Sequence, residues 1–350
     1  MFFYTGAYTE EPMGHGEGIG LIQFDPVSGE IGLSETTTPA RNPSFLALSA
    51  DRAVLYAGDE REEGAVGAYR RDPVTGVLEQ LNAQATGGEH PCHLSLDATG
   101  RFLLAVNYTG GNVAVFPVAE DGSLEPASQV LAHEGSSVDP DRQGEPHPHM
   151  ILPSPDGRFV YVTDLGTDQI VRYRLDSKDG ELIQAATTDV TPGMGPRHFA
   201  FSPDGRTMVV IGELDSTLNS YAIEDDGTLI PVSSVSTLPA GFTGGSWCAH
   251  VLISPDGRYV YGSNRGHDSI AIASFDAGSR ALEIVEFVPT GGKEPRNFCI
   301  DPTGNWLLAA NQYSDMIAVL ARDEGSGKLT QTGHSISSAS PVCLLFAGEK

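Results

Sequence analysis

Lysine and arginine are scarce in this chain: 21 together among 350 residues, against 46 aspartates and glutamates, for a formal net charge of -25. Such a surface repels phosphate backbones and anionic lipid, which sets aside nucleic-acid and membrane-surface binding. Long apolar runs are missing too, and no stretch of about 18 residues would span a bilayer. Cysteine is limited to Cys92, Cys248, Cys299 and Cys343. They lie far apart and none forms a CxxC pair, so neither a metal site nor a disulfide framework is signalled. The opening MFFYTGAYTE lacks a basic segment followed by an apolar core, so the expectation is a cytoplasmic protein. No sustained 3.6-residue pattern appears, which excludes a helical solenoid.

Turn chemistry, by contrast, is abundant, with 41 glycines and 23 prolines. The string SPDGR occurs at Ser154–Arg158, Ser202–Arg206 and Ser254–Arg258. Weaker copies are DATGR from Asp97, DPTGN from Asp301 and SADRA from Ser49. Each separates two β-rich runs, and Asp-Gly in that setting is a strong hairpin signal. The first run of each unit opens at Pro43, Pro91, Pro148, Pro196, Cys248, Pro295 and Pro341, with spacings of 48, 57, 48, 52, 47 and 46. A repeat of about 50 residues suits four short strands. The 10 residues from Pro341 onward and the 42 before Pro43 complete one more unit. The expected fold is all-β: a single domain over residues 1–350, a seven-bladed β-propeller. Its ring closes by pairing the C-terminal strand with the N-terminal strands, which removes open sheet edges.

In such a blade, the start of the first strand and the end of the second share one face of the ring. Just after the strand openings come Ser44, Cys92, His149, Arg197, Ala249, Arg296 and Val342. At the second-strand ends come Asp59-Glu60, Asn107-Tyr108, Asp164-Leu165, Gly212-Glu213, Asn264-Arg265 and Asn311-Gln312. One sector therefore gathers His149, Arg197, Glu213, Arg265 and Arg296, although basic residues are rare in the chain. The spacing of 57 carries an insertion, GSSVDPDRQGEPHPH, expected to bring Arg142, Glu145 and His147 to the same face. Long loops on a rigid scaffold often carry function. One position further along lie His93, His198 and His250, which alternation turns between blades into structural roles.

The chain resembles the β-propeller lactonase family, which includes bacterial 6-phosphogluconolactonase and the fungal enzyme that cyclises carboxy-muconate. The resemblance runs through HPCHLSLDATGRFLLAVNYTGG from His90, PHPHM at Pro146, DLGTDQI at Asp164 and GPRHFAFSPDGR at Gly195. It continues through GELDST at Gly212, SNRGHDSIA at Ser263 and EPRNFCIDPTGNWLLAANQ at Glu294. It implies a catalytic group of one histidine, two arginines and one glutamate, falling on His149, Arg197, Arg265 and Glu213.

That set suits lactone opening without a cofactor. A neutral histidine takes a proton from water near pH 7. His149 is assigned that role, with Glu213 orienting it or serving as the base instead. Arg197 and Arg265 would hold a carboxylate or phosphate, or face the oxyanion. Arg296, His147, Arg142, Asp164, Tyr108 and Gln312 are the expected substrate-binding residues. No GxSxG elbow occurs, which argues against an acyl-enzyme. The bland reading makes the arginines braces between blades, paired to Asp164 or Glu213. The expected ligand is a small anionic lactone or sugar acid. A muconate-type cycloisomerase and a non-catalytic binding scaffold are the alternatives, the second with Phe242 and Trp247 as its rim patch.

Overall fold

The computed structural model describes residues 1–176 and 178–348, without the side chains of residues 33–35. Seven four-stranded antiparallel sheets make up almost everything, as the repeat predicts. Helix is limited to the single 3-10 turn Gln312–Ser314 among the described residues. None is long and apolar enough to cross a membrane.

The hairpin motif has a concrete cause. In SPDGR the Ser154 hydroxyl donates to Asp156 Oδ1 at 2.6 Å and accepts from the Phe159 amide at 3.1 Å. Ser202 and Ser254 repeat this with Asp204 and Asp256. Gly157 closes the turn at φ +69°, a region that favours glycine. The serine thus satisfies the donor that would otherwise be lost where the strands part.

The chain divides into two compact units: Ala40–Pro196, and Met1–Pro39 with Arg197–Lys350. The 40–196 unit holds three sheets, opened by Pro43–Leu48, Pro91–Leu96 and Pro148–Pro153. Here Leu103, Ala105 and Phe116 pack against Val54 and Tyr56. Val106, Val113 and Val115 pack against Ile151, Val162 and Val171. Strands covered on both faces read as unbroken apolar runs such as FLLAV.

The other unit holds four sheets, opened by Pro196–Phe201 (Pro196 itself falling in the first unit), Trp247–Ile253, Pro295–Ile300 and Pro341–Phe346. Its cores repeat the pattern, with Val209, Ile211 and Leu218 against Val251 and Val260, and Tyr261 and Ile272 against Phe298 and Leu307. The expected closing pairing is present: Pro341–Phe346 runs antiparallel to Phe2–Ala7, with Phe3 opposite Phe346 and Gly6 opposite Cys343. In both units the fourth strands, such as Leu182–Asp189 and Leu229–Ser236, are the exposed and polar ones.

Candidate active site

Within the four-sheet unit, two neighbouring hairpins deliver their charges to one spot. Arg197 follows the opening proline of its strand, and Glu213 follows the end of the next strand, Thr207–Gly212. Arg265 ends Tyr259–Arg265, where it lies opposite Trp247. Arg197 Nε donates to Glu213 Oε2 at 2.8 Å, and Arg265 Nη2 reaches the same oxygen at 2.9 Å. The side chains of Arg197 and Glu213 are only 2% and 5% exposed. One carboxylate thus neutralises half of two buried guanidiniums. Backbone carbonyls take further donors: Ala249 O accepts from Arg197 Nη1, and Cys248 O accepts from Arg265 Nη2 at 3.1 Å. Fixed in this way, both planes are positioned before any ligand arrives.

A second layer holds Arg197. Its Nη1 lies 3.3 Å from His198 Nε2, and His198 Nδ1 lies 2.8 Å from His250 Nδ1. A guanidinium only donates, so His198 Nε2 accepts and His198 Nδ1 carries the proton toward His250. Burial, with the Arg197 charge adding to it, holds His250 down to about 3, so it stays neutral. The pair turns between sheets, as its position in the repeat predicts.

Two further groups border this centre. Arg296 donates to the Tyr8 hydroxyl at 2.7 Å and lies over the Tyr8 ring, 5.2 Å from its centroid. Glu294 Oε1 is 3.9 Å from Arg265 Nη1. Burial pushes its carboxyl up, opposed by Arg265 and Arg296 and reinforced by Asp268 and Glu213. Gln312 is directed elsewhere: its amide nitrogen donates to Met13 O at 2.9 Å, tying down the segment after Phe2–Ala7.

In the three-sheet unit, His149 is buried with its Nδ1 3.6 Å from Cys92 Sγ. The Tyr108 ring meets His149 edge-on at 5.3 Å and stacks on His147 at 4.4 Å, 8° from parallel. His147 Nδ1 donates to Tyr108 O at 2.9 Å, and Arg142 Nη2 donates to the Tyr108 hydroxyl at 3.4 Å. The insertion therefore does bring Arg142 and His147 onto Tyr108, while Glu145 is exposed. Asp164 differs from expectation. Its carboxylate is fully buried and accepts from His133 Nδ1 at 2.7 Å and from the amides of His147, Gly166 and Thr167. Those four donors saturate it, so it anchors the insertion and is not placed to hold a ligand. His133, whose Nε2 meets the Tyr173 hydroxyl at 2.8 Å, completes that anchor.

The family model "Lactonase, 7-bladed beta-propeller" matches residues 2–346. The chain belongs to this family. It is 36% identical over 345 residues to the 6-phosphogluconolactonase of Bacillus subtilis, covering 98% of this chain and 97% of that protein. It is 34% identical to the 6-phosphogluconolactonase of Formosa agariphila, covering 84% and 85%. Among solved structures, the periplasmic gluconolactonase of Pseudomonas aeruginosa superposes with a TM-score of 0.94 at 35% identity, covering 99% of each chain.

In this propeller lactonase, the repeat columns pointed to Arg197, Glu213 and Arg265, and the structure brings those three together. The columns missed Glu294, Tyr8 and His133. Tyr8 stands just past the end of a second strand and was within reach of the same reasoning. His133 had no signal of its own. Among the described residues, no group of three His, Cys, Asp or Glu side chains is arranged to hold a metal ion.

Proposed function

We propose that this chain hydrolyses the lactone of a sugar acid, working as one domain over residues 1–350. The observation that carries the reading is the buried Arg197–Glu213–Arg265 centre in a chain of this family. Guanidiniums fixed in a poorly solvated setting stabilise a developing oxyanion more strongly than mobile ones in water. Glu213 Oε2 is engaged by both arginines, so Glu213 serves to fix them. The base that activates water is then His149, whose ring is oriented by Cys92 and Tyr108.

Water loses a proton to His149 and its oxygen bonds to the carbonyl carbon. The carbonyl electron pair moves to oxygen, where the arginine centre stabilises it. Collapse breaks the bond to the ring oxygen and leaves the open hydroxy acid. Arg296, Arg142, His147 and Tyr108 are assigned to binding the rest of the substrate. The reaction runs without a metal, and four cysteines outside any disulfide fit a reducing, cytoplasmic compartment.

A pH-stat panel of 6-phosphogluconolactone, gluconolactone and aldaric-acid lactones, with chelator present, tests this. The expected result is hydrolysis of at least one substrate far above its spontaneous rate. No acceleration of any lactone, with turnover of a carboxy-muconate, would replace the reading with a cycloisomerase.

A further inference from the structure

Opening a lactone requires a proton for the departing ring oxygen as well as a base for water. At the arginine centre, one carboxyl group differs from Glu213 in every relevant respect. Glu213 is buried under two close guanidinium contacts. Glu294 is 18% exposed, and its nearest cationic atom, Arg265 Nη1, stands at 3.9 Å. Among the described residues no hydrogen bond to this carboxyl is found, although its backbone is held firmly. Its amide donates to Asp268 Oδ1 at 2.8 Å, and its carbonyl accepts from the Gln312 amide at 3.0 Å.

The backbone gives a second, independent indication. Glu294 adopts φ +61°, in the left-handed region. The same place in other repeats, just before the opening proline, is left-handed as well: Asn42, His90, Gly195 and Ser340 at φ +37°, +56°, +59° and +46°. Those are small or turn-forming residues, several of which tolerate this conformation. A glutamate there is the costlier choice, and such strain gathers at functional sites.

We propose that Glu294 is the proton donor to the leaving ring oxygen. This rests on the lactonase reading above. As the tetrahedral intermediate collapses, the C–O ring bond breaks and its electron pair stays on oxygen. That oxygen takes the Glu294 carboxyl proton, and the carbonyl reforms. The Glu294 carboxylate is then reprotonated from solvent, which receives the proton that His149 removed from water. Groups facing the carboxyl favour this role in balance: burial, Asp268 and Glu213 keep the proton on, while Arg265 and Arg296 stabilise the carboxylate left behind.

The test is the pH dependence of kcat for wild type, E294Q and E294D on the best lactone of the panel, after subtraction of the spontaneous rate. In wild type, kcat falls as pH rises through the Glu294 titration, because the neutral acid is the active form. E294Q is expected to lose about 100-fold or more in kcat with KM little changed, and to lose that alkaline fall. E294D, which keeps a carboxyl group, is expected to regain part of the rate together with the fall. An active wild type alongside an E294Q variant of equal rate and unchanged profile overturns the proton-donor role alone. A wild type inactive on every lactone overturns the lactonase reading and this role together.

Discussion

The two units use their polar residues differently. In the four-sheet unit, the buried centre is charged and braced by charge: Glu213 between Arg197 and Arg265, with His198 and His250 behind. In the three-sheet unit, the expected base His149 has a thiol and an aromatic ring beside it. There the buried carboxylate Asp164 is turned to holding His147 of the insertion together with its own turn at Gly166 and Thr167. On the proposed reading, charge in the first makes the site and stabilises its surroundings at once. In the second those tasks are separated, so a variant can impair one and spare the other.

The largest effect is expected where they coincide. R197M should lower kcat/KM by about 100- to 1,000-fold through loss of oxyanion stabilisation. It also leaves Glu213 short of a partner in a buried setting, which typically costs about 3–5 kcal/mol of stability. Steady-state kinetics and denaturant unfolding read the two losses. H149N should separate them: kcat falls by about 100- to 10,000-fold, while the unfolding midpoint stays near wild type. If H149N keeps its rate, the contrast between the units fails.

D164N tests the bracing task. Its expected cost is about 1–3 kcal/mol, because a buried acceptor loses its charge and a donor is left mismatched. Hydrogen exchange should rise across residues 134–147 more than elsewhere, and an unchanged pattern there would contradict the anchoring role.

The His250 prediction is smaller and depends on pH. Its folded value is near 3 against an ordinary 6.5, so the unfolded chain binds the proton more tightly. Stability from this group is complete above pH 6.5 and is lost as pH falls toward 3, at about 1.4 kcal/mol per unit. Unfolding of wild type and H250Q between pH 7 and 4.5 checks this. The variant should be less stable at pH 7 and should lose less on acidification. Smallest of all, C92S should change stability by about 1 kcal/mol and leave KM near wild type.

The fold was open to reading because its signals recur. Three SPDGR turns and six opening prolines mark the strands, and the closing pair followed from the lengths of the two ends. The arginine centre was legible for the same reason, since Glu213 and Arg265 hold the same second-strand place in neighbouring repeats and Arg197 follows a strand opening on the same face. Asp164 ends its second strand one position before the place that Glu213 holds in the next repeat, and faces a different task. What separates them is that His133, the His147 amide of the insertion and the amides of Gly166 and Thr167 in its own turn claim the carboxylate, and a column carries no sign of that. Glu294 was hidden by its position, where Asn42, His90 and Ser340 make it look like a turn residue.

The central claim is that the arginine centre performs the chemistry on the lactone. Saturation kinetics of R265M beside wild type, with circular dichroism confirming equal folded fractions, tests it most directly. A fall of about 100-fold or more in kcat/KM on the preferred lactone is predicted. A folded R265M that hydrolyses that lactone at the wild-type rate would contradict it.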